Sequence, residues 1–200
     1  MHHLIVAITD LGDSAVTLPM AAVAIAVLLT ARQVRSALWW SGCIAAAAAA
    51  LGALKLVLTA IAIHFHMLAS LSSPSGHAGM SAIVYGGFVL LTGPSLPRMW
   101  RVLARLGALA LVLAIAASRL VLHAHSIAET AIGLAVGLAA LVAFGAGLAR
   151  APSERVPVVA LCAAALAVIG LMHGTRWHTE PMIRALSRSA LVQELLPPRG

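Results

Sequence analysis

Three clusters of titratable and hydroxyl side chains interrupt an otherwise apolar chain. Each cluster lies beside an apolar segment, and ionisable groups at membrane depth are costly enough to indicate a functional role. The first cluster holds a lysine and two histidines, the second is a serine-rich turn, and the third combines arginine, histidine and glutamate. In chain order the members are Lys55, His64 and His66; Ser72, Ser73, Ser75, Gly76 and His77; and Ser118, Arg119, His123, His125 and Glu129.

The segment Ser75-Gly76-His77 precedes an apolar span and has the composition of a turn that begins a helix. Such a turn presents free backbone N–H groups and the positive end of the helix dipole, which together attract an anion. Ser75 adds a hydroxyl donor and His77 adds a titratable proton. The alternative interpretation is an ordinary helix cap beside a histidine that has no chemical role.

The third cluster supplies the groups that phosphoryl transfer requires. Residues four apart share a helix face, so Glu129 can hold one imidazole nitrogen of His125. A carboxylate on one nitrogen fixes the tautomer and leaves the other nitrogen free to attack or to accept a proton. Arg119 is permanently charged and forks around phosphate oxygens. With the anion-binding turn, this predicts phosphoryl transfer through histidine; the alternative is a structural ion pair between Arg119 and Glu129.

The composition identifies the elements that must position these residues. The 200 residues are 62% hydrophobic and 10% charged, with a mean hydropathy of +1.01, whereas globular chains average about 45–50% apolar and about 25% charged residues. This balance excludes a soluble domain and a disordered chain. It predicts an all-α, polytopic membrane bundle of about six helices: Ser14–Thr30, Ala37–Ile63, Ala78–Leu91, Val102–Ala117, Ile127–Leu148 and Val156–Met172.

Local signals refine these spans. Asp13 or Ser14 can cap the first helix. The third and fourth spans are shorter than the roughly 17–25 residues that cross a bilayer, so neighbouring motif residues are expected to complete them. Gly133 and Gly137 form a G-x-x-x-G face, which predicts close packing of another helix.

The basic residues predict an orientation. The net charge is +7, but no basic face with interleaved aromatic residues is present, so nucleic acid is not an expected partner. Seven arginines follow alternate spans, which predicts that their side of the membrane is cytoplasmic; they are Arg32, Arg35, Arg98, Arg101, Arg105, Arg150 and Arg155. The three clusters then face the exterior or periplasm of a bacterial-type inner membrane. Residues 1–175 are expected to form the membrane domain and residues 176–200 an amphipathic or disordered tail.

Two of the clusters resemble the motifs of a known family. Pro74-Ser75-Gly76-His77 is similar to the middle motif of the type 2 phosphatidic acid phosphatase (PAP2) and vanadium haloperoxidase superfamily, and Ser118-Arg119-x5-His125-x3-Glu129 is similar to its last motif. The resemblance implies that His125 is the nucleophile, Glu129 orients it and His77 is the general acid. It also implies that Lys55, Ser75, Gly76 and Arg119 bind the phosphate, without a metal or an organic cofactor.

The chain departs from the family pattern in two places. Glu129 replaces an aspartate, and its longer side chain should still reach an imidazole nitrogen. In the first motif, Lys-x6-Arg-Pro, Lys55 matches the lysine, but Ala62 and Ile63 stand where arginine and proline are expected. His66 lies eleven residues after Lys55 and therefore shares its helix face, so it is a candidate substitute ligand for the phosphate.

The resulting functional prediction is an integral membrane lipid phosphatase. Its expected substrate is a phosphate or diphosphate monoester of a lipid, such as an isoprenoid carrier, a phosphatidic acid-type lipid or lipid A. The alternatives are a lipid phosphotransferase and an inactive lipid-binding relative, the latter because of the missing arginine. A further alternative, from a different functional class, is a histidine-rich metal-binding or transport protein, in which the imidazole and carboxylate groups would bind a transition metal. The sequence specifies neither the particular lipid nor an oligomeric state.

Overall fold

A computed structural model describes residues 2–65, 73–150 and 156–175, and all the regular structure of these residues is helical. The helices are α1 (His2–Asp10), α2 (Ser14–Thr30), α3 (Val34–Phe65), α4 (Gly76–Thr92), α5 (Arg98–Val121), α6 (Ile127–Ala149) and α7 (Val158–Met172). A single 3-10 turn, Gly93–Ser95, follows α4.

The predicted all-α membrane bundle is confirmed. Among the described residues, five helical stretches are long and apolar enough to cross a membrane, and they are His2–Thr30, Val34–Thr59, Gly76–Ser95, Arg98–Val121 and Ile127–Ala149. The sixth predicted span corresponds to the shorter apolar helix α7. As expected from their lengths, the third and fourth spans are completed by motif residues, since α4 begins at Gly76 and α5 continues past Arg119. The predicted tail lies outside the described residues.

Close contact between α4 and α6 fixes the relative height of the two motif-bearing helices. A Cβ atom at Gly137 would collide with the backbone carbonyl of Gly79, and one at Gly133 would collide with the carbonyl of Ser75. The helices can approach this closely only because these positions lack side chains. The predicted packing role of the G-x-x-x-G face is therefore confirmed, and it holds the start of α4 against the start of α6.

The interior is built around Trp40 of α3. Its ring packs edge-on against Phe144 of α6, with ring centroids 5.0 Å apart, and against Phe88 of α4 at 6.1 Å. Its indole N–H donates to the carbonyl oxygen of Ala21 in α2 at 2.9 Å, so the one polar atom of this buried side chain is satisfied. One residue thus ties four helices together.

Candidate active site

The second and third clusters meet where α4 and α6 begin and α5 ends. The backbone N–H of Ser75 donates to the carbonyl oxygen of Glu129 at 3.0 Å. The backbone N–H of Ser73 donates to Glu129 Oε1 at 2.8 Å. Two segments that lie more than fifty residues apart in the sequence are therefore joined by direct hydrogen bonds.

The predicted contact between His125 and Glu129 is present, with 3.2 Å between Nδ1 and Oε2. It arises differently from the prediction, because His125 precedes α6 and does not share a helix face with Glu129. The link is a capping box: Ser126 Oγ accepts from the N–H of Glu129 at 3.2 Å, and Glu129 Oε2 accepts from the N–H of Ser126 at 3.0 Å. The carboxylate thus serves the helix end and the imidazole together. An ionised carboxylate only accepts, so Nδ1 carries the proton and Nε2 carries the lone pair.

A tight turn at the end of α5 returns the chain to the site. His123 adopts a left-handed conformation, with φ of 51°. The N–H of Ala124 donates to the carbonyl oxygen of Arg119 at 3.0 Å, and the N–H of His123 donates to that of Leu120 at 3.0 Å, the two bonds of a Schellman helix end. This turn leaves His123 exposed while the side chain of His125 is only 5% exposed.

The electrostatic surroundings favour the neutral form of His125. Burial lowers the pKa of its imidazole below the ordinary value of 6.5, and the positive charges of Arg119 and Lys55 act in the same direction. The hydrogen bond and charge of Glu129 oppose this shift without cancelling it. A neutral imidazole retains the lone pair that a nucleophile requires.

The turn before α4 has the geometry of a helix cap. Ser75 is fully buried, and its Oγ accepts from the N–H of Ala78 at 3.4 Å. Gly76 has no atom within 4 Å of the position that a Cβ would occupy, so the space beside its backbone is open. His77 follows directly and is half-buried. The two interpretations of this segment, a helix cap and an anion-binding turn, are therefore compatible. The cap holds the backbone in place, and the N–H groups that it does not use can bind an anion.

The N-terminal segment contributes contacts that the sequence analysis missed. Asp13 Oδ2 lies 3.4 Å from His77 Nε2, while Asp13 Oδ1 accepts from the N–H of Ala15 and caps α2. Thr9 Oγ1 accepts from Arg119 Nη1 at 3.3 Å. A sequence signal was available, because Asp10 and Asp13 are the only acidic residues before Glu129. In an apolar chain with so few charges, an acidic residue is as informative a signal of a functional site as a histidine.

Close packing holds this segment in place. A Cβ at Gly12 would lie 2.6 Å from Ile115 Cγ2 and 3.3 Å from His77 Cβ, so the chain passes directly over the site. The hydroxyl of Tyr85 donates to the carbonyl oxygen of Leu11 at 2.7 Å. The turn between α1 and α2 is thus anchored to α4 and α5.

The first cluster is represented by Lys55 of α3. Its positive charge acts on both His77 and His125, as does the charge of Arg119, so the predicted phosphate ligands of α3 and α5 exert an electrostatic effect on the same two imidazoles. His66 lies outside the described residues, so its suggested role stays a prediction. Among the described residues, no group of three or more His, Cys, Asp or Glu side chains is arranged to hold a metal ion.

Comparison with protein families gives one match. Residues 55–152 match the model of the PAP2 superfamily, a range that begins at Lys55 and includes both motifs of the site. Comparisons with curated proteins and with solved structures gave no match.

Proposed function

The chain belongs to the PAP2 superfamily through residues 55–152, and from this membership we propose that it is a membrane phosphatase that hydrolyses a lipid phosphate or diphosphate monoester through a phosphohistidine. The observation that carries the mechanism is the buried His125–Glu129 pair beside the Ser75 turn. It places a histidine whose orientation is fixed by Glu129 next to a helix end that can bind an anion. Phosphoryl transfer through histidine needs both groups together.

In the first chemical step, His125 Nε2 attacks the phosphorus atom. The P–N bond forms as the bond to the leaving lipid oxygen breaks, and Glu129 stabilises the positive charge that develops on the imidazole through Nδ1. His77 donates its proton to the departing oxygen. The products are the lipid alcohol, or the lipid monophosphate from a diphosphate, and phosphorylated His125.

In the second step, water attacks the phosphohistidine. The now neutral His77 accepts a proton from this water as the P–N bond breaks, which restores His125 and releases inorganic phosphate. Transfer to a lipid hydroxyl in place of water would follow the same path and give a phosphotransferase. The acceptor, and not the first step, distinguishes the two reactions.

The negative charge on the transferring phosphoryl group requires fixed donors. Arg119 offers a planar fork, Lys55 a point charge, and Ser75 and the N–H of Gly76 offer hydrogen bonds at the start of α4. The family arginine is replaced by Ala62. One cation fewer around the phosphate is expected to lower transition-state stabilisation, and it is the reason to keep an inactive lipid-binding relative as an outcome of the test.

The position of the site along the helices supports a lipid substrate. The catalytic groups occupy the ends of apolar helices, at the level where phosphate headgroups of a bilayer are found. The orientation of the arginine-rich turns supports a site that opens to the exterior or periplasm of a bacterial-type inner membrane.

The test is phosphate release by the detergent-purified protein from a carrier-lipid diphosphate, a phosphatidic acid and lipid A, with EDTA and with vanadate. His125→Ala should abolish release, whereas His123→Ala, a matched loss of an exposed histidine two residues away, should leave it unchanged. Radiolabelled phosphate should be trapped on the protein in an acid-labile, alkali-stable form. Full activity of His125→Ala would overturn the mechanism. Loss of phosphate release with EDTA but not with vanadate would favour a metal enzyme. No phosphate release from any lipid would favour the inactive relative.

A further inference from the structure

A cavity of about 440 Å³ opens at the end of the bundle opposite the candidate active site. It lies where the α2–α3 turn, the α4–α5 turn and the end of α6 come together, and Gln33, Pro94 and Ala149 mark these three segments in its wall. At 1.5 Å per residue along α6, its Gly145 wall lies about 24 Å from Glu129. The cavity is therefore separate from the proposed reaction.

The charge at this end is positive throughout the described residues. Six of the seven arginines that the structure describes lie here, whereas all three described carboxylates, Asp10, Asp13 and Glu129, lie at the other end. Two of these arginines, Arg101 and Arg105, line the cavity from one face of α5. A concave wall with this sign of charge concentrates anions.

Arg101 is held in place with donor capacity left over. Its Nη2 donates to the carbonyl oxygen of Leu96 at 3.1 Å, which fixes the guanidinium against the α4–α5 turn. Its Nε is buried and has no hydrogen-bond partner among the described residues. The guanidinium carries five N–H donors, so the single bond to Leu96 leaves others for a ligand in the cavity.

The opposite wall is polar and rigid. Arg32 ends α2 in a left-handed conformation, with φ of 61°, and the N–H of Gln33 donates to the carbonyl oxygen of Leu28 at 2.8 Å. This Schellman end turns the chain sharply, so that Gln33, which is 4% exposed, and Ser36 face the cavity. A fork of guanidinium donors across from amide and hydroxyl groups suits the several oxygens of a phosphate.

Exposed aromatic residues indicate the level of this cavity relative to a bilayer. Trp100 of α5 is 57% exposed and Trp39 of α3 is 38% exposed, and both lie close to the arginine-bearing turns. Tryptophan is enriched at membrane interfaces, where lipid headgroups lie. Basic pockets between transmembrane helices at this level bind anionic headgroups.

We propose that the cavity bounded by Gln33, Ser36, Arg101 and Arg105 binds a phosphate-bearing anion, supplied either by the headgroup of an anionic membrane lipid or by free phosphate. The site is a second one, distinct from the catalytic end and independent of the reaction proposed there. It takes the anion in a fork from α5, and the Gly145 side of α6 forms the apolar wall for the rest of the ligand.

The experiment measures binding of dioleoylphosphatidylglycerol to the detergent-purified full chain by native mass spectrometry, with dioleoylphosphatidylcholine as the zwitterionic comparison that has no net charge. Both lipids are phosphodiesters, which a phosphomonoesterase does not cleave. The double substitution Arg101→Gln with Arg105→Gln should weaken phosphatidylglycerol binding at least tenfold. Arg98→Gln removes an exposed charge from the same helix end outside the cavity and should change binding less than twofold.

Two further variants keep the result interpretable. Gly145→Leu fills the cavity without changing charge and should also weaken binding at least tenfold, so the test does not depend on the double variant folding. Arg119→Gln should leave binding unchanged, since it alters only the catalytic end. In a second arm, thermal stabilisation by inorganic phosphate that depends on Arg101 but not on Arg119 would identify free phosphate as the ligand.

Several outcomes overturn the proposal. The first is equal binding of phosphatidylglycerol and phosphatidylcholine together with no Arg101-dependent effect of phosphate. The second is an equal loss of binding in Arg98→Gln, which would indicate diffuse surface charge. The third is loss of binding in Arg119→Gln, which would assign the lipid to the catalytic end. None of them bears on whether His125 is phosphorylated, so the two proposals fail separately.

Discussion

At one end of the helices the described carboxylates are buried, and Asp13 and Glu129 each lie within 3.4 Å of an imidazole. At the other end, arginines surround a cavity and no described carboxylate is present. Both ends suit a phosphate, but among the described residues only the first pairs carboxylates with imidazoles. The comparison leads us to expect that the cations of the second end support binding only, whereas the reaction proposed for the first end also needs its paired carboxylates and histidines.

The largest effect is expected from removing the charge of Glu129. Glu129→Gln keeps a side chain that a capping box accepts, so α6 should still begin at the same place. It also removes the charge and the tautomer control at His125, and loss of tautomer control lowers turnover by about 10⁴-fold in the Ser-His-Asp triad of serine proteases. We expect kcat to fall by about 10³-fold or more, measured as phosphate release.

Two controls sharpen this result. Glu129→Asp restores the acid of the family motif and should retain most activity, and Arg98→Gln, at the opposite end, should leave kcat unchanged. If Glu129→Gln retained more than a tenth of the wild-type rate, the carboxylate would be a structural cap only. The two ends would then not differ in the way described above.

A second prediction compares the two ends of α6 by stability. Gly133→Ala at the catalytic end drives a methyl group into the backbone carbonyl of Ser75, which cannot move aside as a flexible side chain would. It should destabilise the protein by about 1–3 kcal/mol. Gly145→Ala at the cavity end meets only Leu90 Cδ1 at 3.4 Å, so it should stabilise α6 by about 0.5–1 kcal/mol.

Thermal unfolding in one detergent measures both variants. The Tm should fall for Gly133→Ala and rise or stay constant for Gly145→Ala. Equal shifts in the two variants would contradict the conclusion that the close seam of α4 and α6 lies at the catalytic end.

The sequence predicted those features that depend on local pattern. Helix α2 spans Ser14–Thr30 as predicted, because a capping aspartate and a long apolar run define it. The sequence placed the Ser75 turn and Glu129 on the same side of the membrane, because each lies at the start of a span and the two spans run in the same direction. The spacing Ser126-x-x-Glu129 is typical of a capping box, and this box holds Glu129 beside His125 in the structure. The prediction from residues four apart on one helix face gave the right contact for a different reason.

Other features depend on tertiary packing and carry no local signal. Asp13 and His77 lie 64 positions apart, and their contact requires the α1–α2 turn to pass over α4 and α5. The cavity beside Arg101 requires the α2–α3 turn, the α4–α5 turn and the end of α6 to meet, whereas the sequence identified the arginines only as signals of orientation. In both cases the residue type was informative, but its partner was set by the fold.

A third prediction concerns Asp13, which we place as a positioning residue for His77. A carboxylate 3.4 Å from the imidazole stabilises its protonated form, which a general acid needs. Asp13→Asn should therefore lower kcat by about tenfold and move the alkaline limb of the kcat profile to lower pH.

The readout separates this role from helix capping. Asparagine caps helices as well as aspartate does, so the Tm of Asp13→Asn should change little. Asp13→Ala should lower both Tm and kcat. An alkaline limb that stays in place in Asp13→Asn would limit Asp13 to capping α2.

The smallest effect is expected in the acid limb of kcat/KM, which reports the free enzyme. The nucleophile must be neutral, and burial together with the charges of Arg119 and Lys55 lowers the pKa of His125 below 6.5. Protonation therefore removes activity only at a pH below that value, so the limb should lie under 6.5 in the wild type.

Lys55→Met removes one of the two cations and should move the limb toward higher pH by less than one unit, besides lowering kcat/KM across the range. Arg98→Gln should leave the limb in place, because its charge lies at the far end of the helices; an equal shift in both variants would mean that net charge, and not the local cations, sets the proton affinity of His125.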